Sequence, residues 1–469
     1  MSLQSSDRIA MGWIESLIDE HSFLPFYPTH QDSNNTYQFG PEIITGLAKV
    51  NQRAIAVYAH NTNSKRGYIS RQGAIKIARL MDRAYELKIP IIAFLASPGI
   101  AMEEGLASGN EYTQIISKNI ALSGVVPQLA VILAPTLGAP AYSSVLMDIT
   151  FFNKNRSFLM VTSPTVVQHA INEKVTMGEL GGAAMHASVT GIADFVDDTM
   201  TAQINQVKAI IDFFPLNTYE RPPLKPVREP LQPMPIIPDN PQLPFNMLEL
   251  MAAIVDNSDY LQYKRSFGQA MICAFAYIHG YPVGIVANQS TRFSGAIDAD
   301  ASQKAARFIR LCDAYNIPIL TLIDVPGFMP GKREEQKGLL RHGARLCAAM
   351  QTMVPRISVV VRKCYGAAAF LMMQTKSQHG DLVLALESSH IGIMSDAASS
   401  KVSKIDQAAL DNKENRTACE NSLNSAYSMG LIDEIITPVA MRNRLSQHLE
   451  YLFHKQERPR LQKKHFIDP

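Results

Sequence analysis

Gln72–Gly99 reads QGAIKIARLMDRAYELKIPIIAFLASPG, and Asp300–Gly327 reads DASQKAARFIRLCDAYNIPILTLIDVPG. Placing Pro90 on Pro318 sets an offset of 228 residues. The same offset puts Lys76 on Lys304, Arg79 on Arg307 and Gly99 on Gly327. Further on, it puts Pro127 on Pro355 and Gly138 on Gly366. A constant offset through landmarks of the same kind marks an internal duplication. Within each copy an apolar stripe at helical spacing ends near Leu87 or Tyr315. An Ile-Pro step then launches a short apolar run, and a Pro-Gly turn closes it. The runs IAVYAH (55–60), VGIVAN (283–288), LAVILA (129–134) and ISVVVR (357–362) read as strands buried on both faces. Strand and helix alternate, which predicts an α/β fold in two tandem copies.

Between the copies, residues 221–244 hold nine of the chain's 27 prolines. Such a stretch is extended and forms neither helix nor central strand. The expected organisation is an N-terminal half over 1–220, a Pro-rich linker over 221–244 and a C-terminal half over 245–469.

With 46% hydrophobic and 18% charged residues, the 469-residue chain supports large cores and excludes global disorder. A net charge of +2 gives no basis for a nucleic-acid or membrane-surface partner. No apolar run reaches membrane-spanning length. The N-terminus lacks the basic start and apolar segment of a signal peptide, so a cytoplasmic location is expected. Cys273, Cys312, Cys347, Cys364 and Cys419 are odd in number and contain no CxxC pair. That argues against a disulfide framework and a zinc site, and no metal is expected.

Two small-residue corners carry the chemistry, Leu137-Gly138-Ala139-Pro140-Ala141-Tyr142 and Tyr365-Gly366-Ala367-Ala368-Ala369-Phe370. Each follows a buried strand and precedes a helix, and Pro140 suits a first helical turn. Small residues let a ligand approach the backbone, where free N–H groups at a helix start can hold an oxyanion. The plainer interpretation is tight strand–helix packing; recurrence at the same offset favours function. Asp324, Glu104 and His186 are the available side-chain bases, and none sits in a triad. No Walker or dinucleotide fingerprint appears in context. The apolar turn tip IDVPGFMPG (323–331) presents Phe328 and Met329 either to a flat ligand or as an ordinary connection.

Several stretches together resemble the carboxyltransferase (β) subunits of biotin-dependent acyl-CoA carboxylases. In the C-terminal half they are VGIVANQS (283–290), DADASQKAARFIRLCDAYNIPILTLIDVPGFMPG (298–331), GLLRHGARLCAAM (338–350), VPRISVVVRKCYGAAAF (354–370) and IGIM (391–394). In the N-terminal half they are LIDEHSF (17–23), KNIALSGVVPQLAVIL (118–133), VVQHAINEKVTMGELGG (166–182) and FFPLN (213–217). The close of the chain, MGLIDEIITPVAMRNRLSQHLEYLF (429–453) followed by KKH, also fits. The resemblance implies two crotonase-like ββα-spiral domains, an N-terminal half that holds acyl-CoA and a C-terminal half that holds carboxybiotin. It implies that carboxybiotin releases CO₂, that the biotin nitrogen takes the α-proton, and that the enolate attacks CO₂. No side-chain acid or base is then required. Gly138 and Ala139 would hold the thioester enolate, and Ala367 and Ala368 the biotin oxygen. Gly99, Gly327, Phe328 and Phe370 are the candidate substrate contacts, Phe370 standing at an acyl-pocket position.

The resemblance further implies a homo-oligomer, a dimer or hexamer, whose site joins the N-half of one subunit to the C-half of another. Biotin would arrive on a biotin carboxylase or biotin carrier subunit, since this chain has no Met-Lys-Met attachment motif. Four departures stand out. One glycine of the family's usual pair at each corner is Ala, the family's DSGGARIQEG appears as ASPGIAMEEG (96–105) without its Arg, Phe370 is larger than the family's usual Asp or Ile, and SDAASSKVSK follows Met394. Two alternatives therefore stay open: an acyl-CoA decarboxylase and a non-catalytic structural subunit.

Overall fold

A computed structural model describes residues 8–26, 40–393 and 423–455. Cys419, the SDAASSKVSK stretch and the closing KKH lie outside the described residues. The chain divides into two compact units, Met1–Pro222 and Pro223–Pro469.

The first unit carries β1 (Leu24–Pro25), β2 (Ile43–Val50), β3 (Arg53–His60), β4 (Ile91–Leu95), β5 (Gln128–Ile132), β6 (Thr136–Leu137), β7 (Ile149–Asn153), β8 (Leu159–Met160) and β9 (Phe195–Asp197). Its main sheet runs β1-β2-β3-β4-β5-β7-β9, while β6 and β8 pair separately. The second unit carries β10 (Tyr260–Tyr263), β11 (Met271–Ile278), β12 (Tyr281–Asn288), β13 (Ile319–Val325), β14 (Arg356–Tyr365), β15 (Leu382–Leu386), β16 (His390–Gly392) and β17 (Glu434–Ile436). Its sheet runs β10-β11-β12-β13-β14-β15-β17, with β16 against the end of β14.

Both sheets begin with an antiparallel hairpin and continue in parallel. The hairpins turn on Asn51-Gln52 and His279-Gly280, and all four residues have positive φ. A two-residue turn with both φ positive matches the right-handed twist of its strands. The parallel steps require crossovers, supplied by the helices Arg71–Leu87 and Ala299–Ala314. Ser70 caps the first by accepting from Gly73 N, and Asp298 caps the second by accepting from Ala301 N. Ala74, Ile77, Ala78, Met81 and Ala84 lie buried along one face of the first helix. Ala301, Ala305, Phe308, Ile309 and Cys312 do the same in the second. The first crossover helix packs into the apolar core of its unit, and in the second unit the helices Met247–Ile254 and Met441–Leu452 build an apolar core with residues of β11, β12, β13, β14 and β15. The units are thus two copies of one fold, with an offset of 228 residues holding from β2 and β11 to Gly138 and Gly366.

Both crossover helices carry a buried lysine. Lys76 Nζ donates to Ile43 O at 2.6 Å, and Lys304 Nζ donates to Met271 O at 2.8 Å and Phe267 O at 3.0 Å. Burial lowers the pKa of Lys304 to about 8.

The Pro-rich segment is extended but is not a free span. Lys225 N donates to Gly280 O, and Leu231 N and Gln232 N donate to Ser258 Oγ. Arg442 reaches Glu229 at 2.7 Å and Asp256 at 2.9 Å. The segment is therefore strapped along the second unit. Cys273, Cys312 and Cys364 are buried and Cys347 is exposed; all four are free thiols.

Candidate active site

The first corner grows out of the short β6. Leu137 N donates to Ser97 O at 2.9 Å, and Gly138 N donates to Met160 O at 3.2 Å. Gly138 then turns at φ 65, ψ −134 and caps the helix Ala139–Leu146. Only glycine adopts that conformation without strain. A Cβ at Gly138 would meet nothing within 4 Å, so the demand is conformational and the backbone there is open. The N–H of Ala139 donates to no acceptor among the described residues, and Pro140 has none to offer. Gly99, at φ 130, sits beside this corner, since a Cβ on it would lie 3.9 Å from Leu137 O. Its carbonyl accepts from Ile69 N at 3.0 Å, so the Pro-Gly turn is held by backbone.

The second corner repeats this from β14. Gly366 has φ 69 and opens the helix Gly366–Met373, with Tyr365 as N-cap and no capping side chain. Neither Ala367 N nor Ala368 N donates to an acceptor among the described residues. Gly327, at φ 146, accepts from Ile297 N at 3.1 Å, as Gly99 does from Ile69. Phe328 is half-buried against the helix Leu339–Ala349: a Cβ on Gly343 would lie 3.4 Å from its ring. One face of Phe328 is thus already used in packing. Phe370 is 39% exposed.

The structure separates the two alanines. The side chain of Ala368 is fully buried, whereas Ala367 is exposed. By the offset Ala367 is the counterpart of Ala139, and Ala368 is the counterpart of Pro140. The departure from paired glycines proves conformationally harmless. Positive φ falls on Gly138 and Gly366, the glycines that remain, while Ala139 and Ala367 are not among the positive-φ residues.

The three side-chain base candidates are engaged elsewhere. Asp324 is buried, bound to Arg362 at 2.7 Å and Lys363 at 3.0 Å. Glu104 accepts from Arg71 N at 2.6 Å at the start of a crossover helix. In the second unit Glu334 accepts from the equivalent Ala299 N at 3.1 Å, which identifies both glutamates as helix caps. His186 uses both ring nitrogens, on Leu159 O at 2.7 Å and Thr190 Oγ1 at 2.9 Å, and burial lowers its pKa. No group of three or more metal-ligating side chains is found among the described residues.

Tyr142, which closes the first corner in the sequence reading but is given no role there, is 56% exposed and by the offset occupies the position of Phe370.

The Carboxyl transferase domain model matches residues 3–467. The chain belongs to this family. It is 34% identical over 461 residues to the propionyl-CoA carboxylase beta chain of Cereibacter sphaeroides, covering 94% of this chain and 90% of that one. It is also 34% identical over 432 residues to the methylmalonyl-CoA decarboxylase subunit alpha of Propionigenium modestum, covering 89% of this chain and 83% of that one. Among solved structures, the transcarboxylase 12S hexamer with methylmalonyl-coenzyme A bound matches with a TM-score of 0.90 and 30% identity, over 98% of this chain and 92% of that one. The fold of this carboxyl transferase is accordingly the duplicated crotonase-like one. No helix among the described residues is long and apolar enough to cross a membrane.

Proposed function

We propose that the chain is the carboxyltransferase subunit of a biotin-dependent acyl-CoA carboxylase, acting on a short acyl-CoA such as propionyl-CoA. One observation carries this reading. Each unit ends a strand in a positive-φ glycine and presents helix-start N–H groups with no acceptor among the described residues. Two such donor sites suit a reaction with two oxyanions, a thioester enolate and a ureido oxygen.

In this reading Gly138 and Ala139, with Gly99 beside them, take the acyl-CoA thioester in the first unit. Ala367 and Ala368, with Gly327 and Phe328 beside them, take biotin in the second, and Phe370 stands at the acyl pocket. Carboxybiotin, delivered by a biotin carboxylase or carrier subunit, supplies the carboxyl group and accepts the α-proton. The chain's own residues hold the two oxygens and orient the thioester. The engagement of Asp324, Glu104 and His186 in other contacts supports that division of labour. Retention of both positive-φ glycines supports an active enzyme over a purely structural subunit. The propionyl-CoA carboxylase and hexameric transcarboxylase relatives support the acyl class and a homo-oligomer. We propose that each site is completed between subunits.

The test is carboxylation of acetyl-, propionyl- and longer acyl-CoAs with the cognate biotin subunit and ATP. Product from a short acyl-CoA is expected. Net decarboxylation of methylmalonyl-CoA without carboxylation would move the assignment to the decarboxylase relatives. No turnover in either direction would leave the structural-subunit reading.

A further inference from the structure

The two units differ in the ladders that precede their corners. In the first unit the β4–β5 ladder ends at Leu95↔Ile132, and Ala96, Ala134 and Pro135 follow. In the second the ladder reaches the equivalent pair Ile323↔Val360 and then breaks register, resuming at Val325↔Cys364. Asp324 alone faces the three residues Val361, Arg362 and Lys363 across that break. These positions match Ala96 and the apolar Leu133-Ala134-Pro135, so the charge belongs to the second unit alone.

The charges are paired with care. Asp324 Oδ2 accepts from Arg362 Nη2 at 2.7 Å and Nε at 3.2 Å, and Oδ1 lies 3.0 Å from Lys363 Nζ. The Lys363 backbone N–H also donates to Oδ1, at 3.3 Å. The outer donors reach the Pro-rich strap: Arg362 Nη1 to Leu243 O at 2.9 Å and Lys363 Nζ to Pro241 O at 3.1 Å. Arg362 Nη2 meets Ser290 Oγ at 3.0 Å. Asp324 and Arg362 are essentially without solvent exposure. A buried carboxylate that orders two cations is expensive to assemble and is a means of specifying geometry, not of adding net stability. Its location decides what it specifies. Asp324 lies three residues before Gly327, and Lys363 three residues before Gly366.

We propose that the buried Asp324–Arg362–Lys363 triad is a positioning device for the second corner. It holds β14 in its shifted register, so that Gly366 turns where Ala367 and Ala368 offer their N–H groups to the ureido oxygen. The inference rests on the biotin-side reading of this corner. The three are positioning residues: they act through the backbone and touch no substrate.

The test uses Asp324→Asn and Lys363→Met in the full chain, each assayed with and without its biotin subunit. Hydrogen–deuterium exchange should quicken in residues 366–373 of both variants and stay unchanged in residues 139–146. In carboxyl transfer from methylmalonyl-CoA to free biotin, kcat should fall about tenfold or more. The KM for the CoA ester and its binding in the absence of biotin should hold. Unchanged exchange at 366–373, or a loss of rate that only tracks the unfolded fraction in a thermal melt, would overturn the proposal. If the wild type transfers nothing, the biotin-side reading fails on its own. The exchange pattern then still decides whether the triad positions the corner.

Discussion

At Gly366-Ala367-Ala368 a single methyl group separates two kinds of test. Ala368 points into the core, so enlarging it would overpack the interior and report on stability. Ala367 is exposed and its N–H has no acceptor among the described residues, so Ala367→Val adds bulk on the exposed face. Crowding an oxyanion donor is expected to lower kcat by about a hundredfold, near the loss seen when such a donor is removed. Unchanged turnover with an intact fold would make this corner a packing device. His60 poses a separate residue-scale question. It is buried, its Nδ1 accepts from Ala96 N at 3.2 Å, and burial lowers its pKa to about 3. Protonation would destroy that acceptor. The unfolded chain therefore binds the extra proton between pH 6.5 and 3, and the folded chain does not. The contribution is complete above pH 6.5 and is lost as pH falls toward 3. At the equivalent position Asn288 Oδ1 accepts from Asp324 N at 3.3 Å, so asparagine can do the same job without titrating. Urea unfolding of His60→Asn at pH 7, 6 and 5 should show wild type losing ground in acid by roughly 1 kcal/mol per pH unit relative to the variant. Parallel stability curves would refute this.

Elements show where sequence reasoning succeeded and where it stopped. The crossover helices, the strands after Pro90 and Pro318 and the Pro-Gly turns were legible because helix period, proline and glycine act over a few residues. The offset then carried them from one unit to the other. It stops working beyond Gly366: β7 begins at Ile149 but β15 at Leu382, so the loops after the corners differ in length. The triad was illegible for another reason. Asp324 is 38 residues from Arg362, and no local pattern records a register break between strands. In sequence Asp324 was one of three candidate bases; in the fold its oxygens are committed to cations. The buried lysines were visible as a matching pair at 228 residues' separation, but their acceptors were not. Those acceptors are carbonyls at or near the start of β2 and β11, so each lysine ties its crossover helix to the sheet's first hairpin. Lys304→Met keeps the apolar stem but strands the carbonyls of Phe267 and Met271, and should cost about 1–3 kcal/mol of unfolding free energy. The same loss is expected for Lys76→Met, whose ammonium reaches Ile43 O. A fully stable double variant would show that burial, not these bonds, sets the helix.

If each corner holds one oxygen, as proposed, neither corner completes the reaction alone. In the proposed reading a second copy of the chain completes the two half-sites, and exposed apolar residues near each corner fit such an assembly. Leu106 is 94% exposed and Met102 83% in the first unit, and Ile236 is 93% and Leu340 82% in the second. Single exposed apolar residues are ordinary on a monomer. Here, however, Met102 and Leu106 lie within eight residues of Gly99, and Leu340 lies in the first turn of the helix on which Phe328 packs. Apolar surface beside half-sites on both units is what a subunit contact would cover. Sedimentation velocity at micromolar concentration should therefore give a multiple of the single-chain mass, with no slow monomer boundary. Leu106→Glu together with Leu340→Glu should shift the population toward smaller species, because a buried unpaired carboxylate opposes association. Carboxyl transfer should fall in step with that shift, while CoA-ester binding to the isolated chain persists. A stable monomer of the wild-type chain that still transferred carboxyl groups would mean that one chain completes its own site, and the proposed completion of each site between subunits would fail.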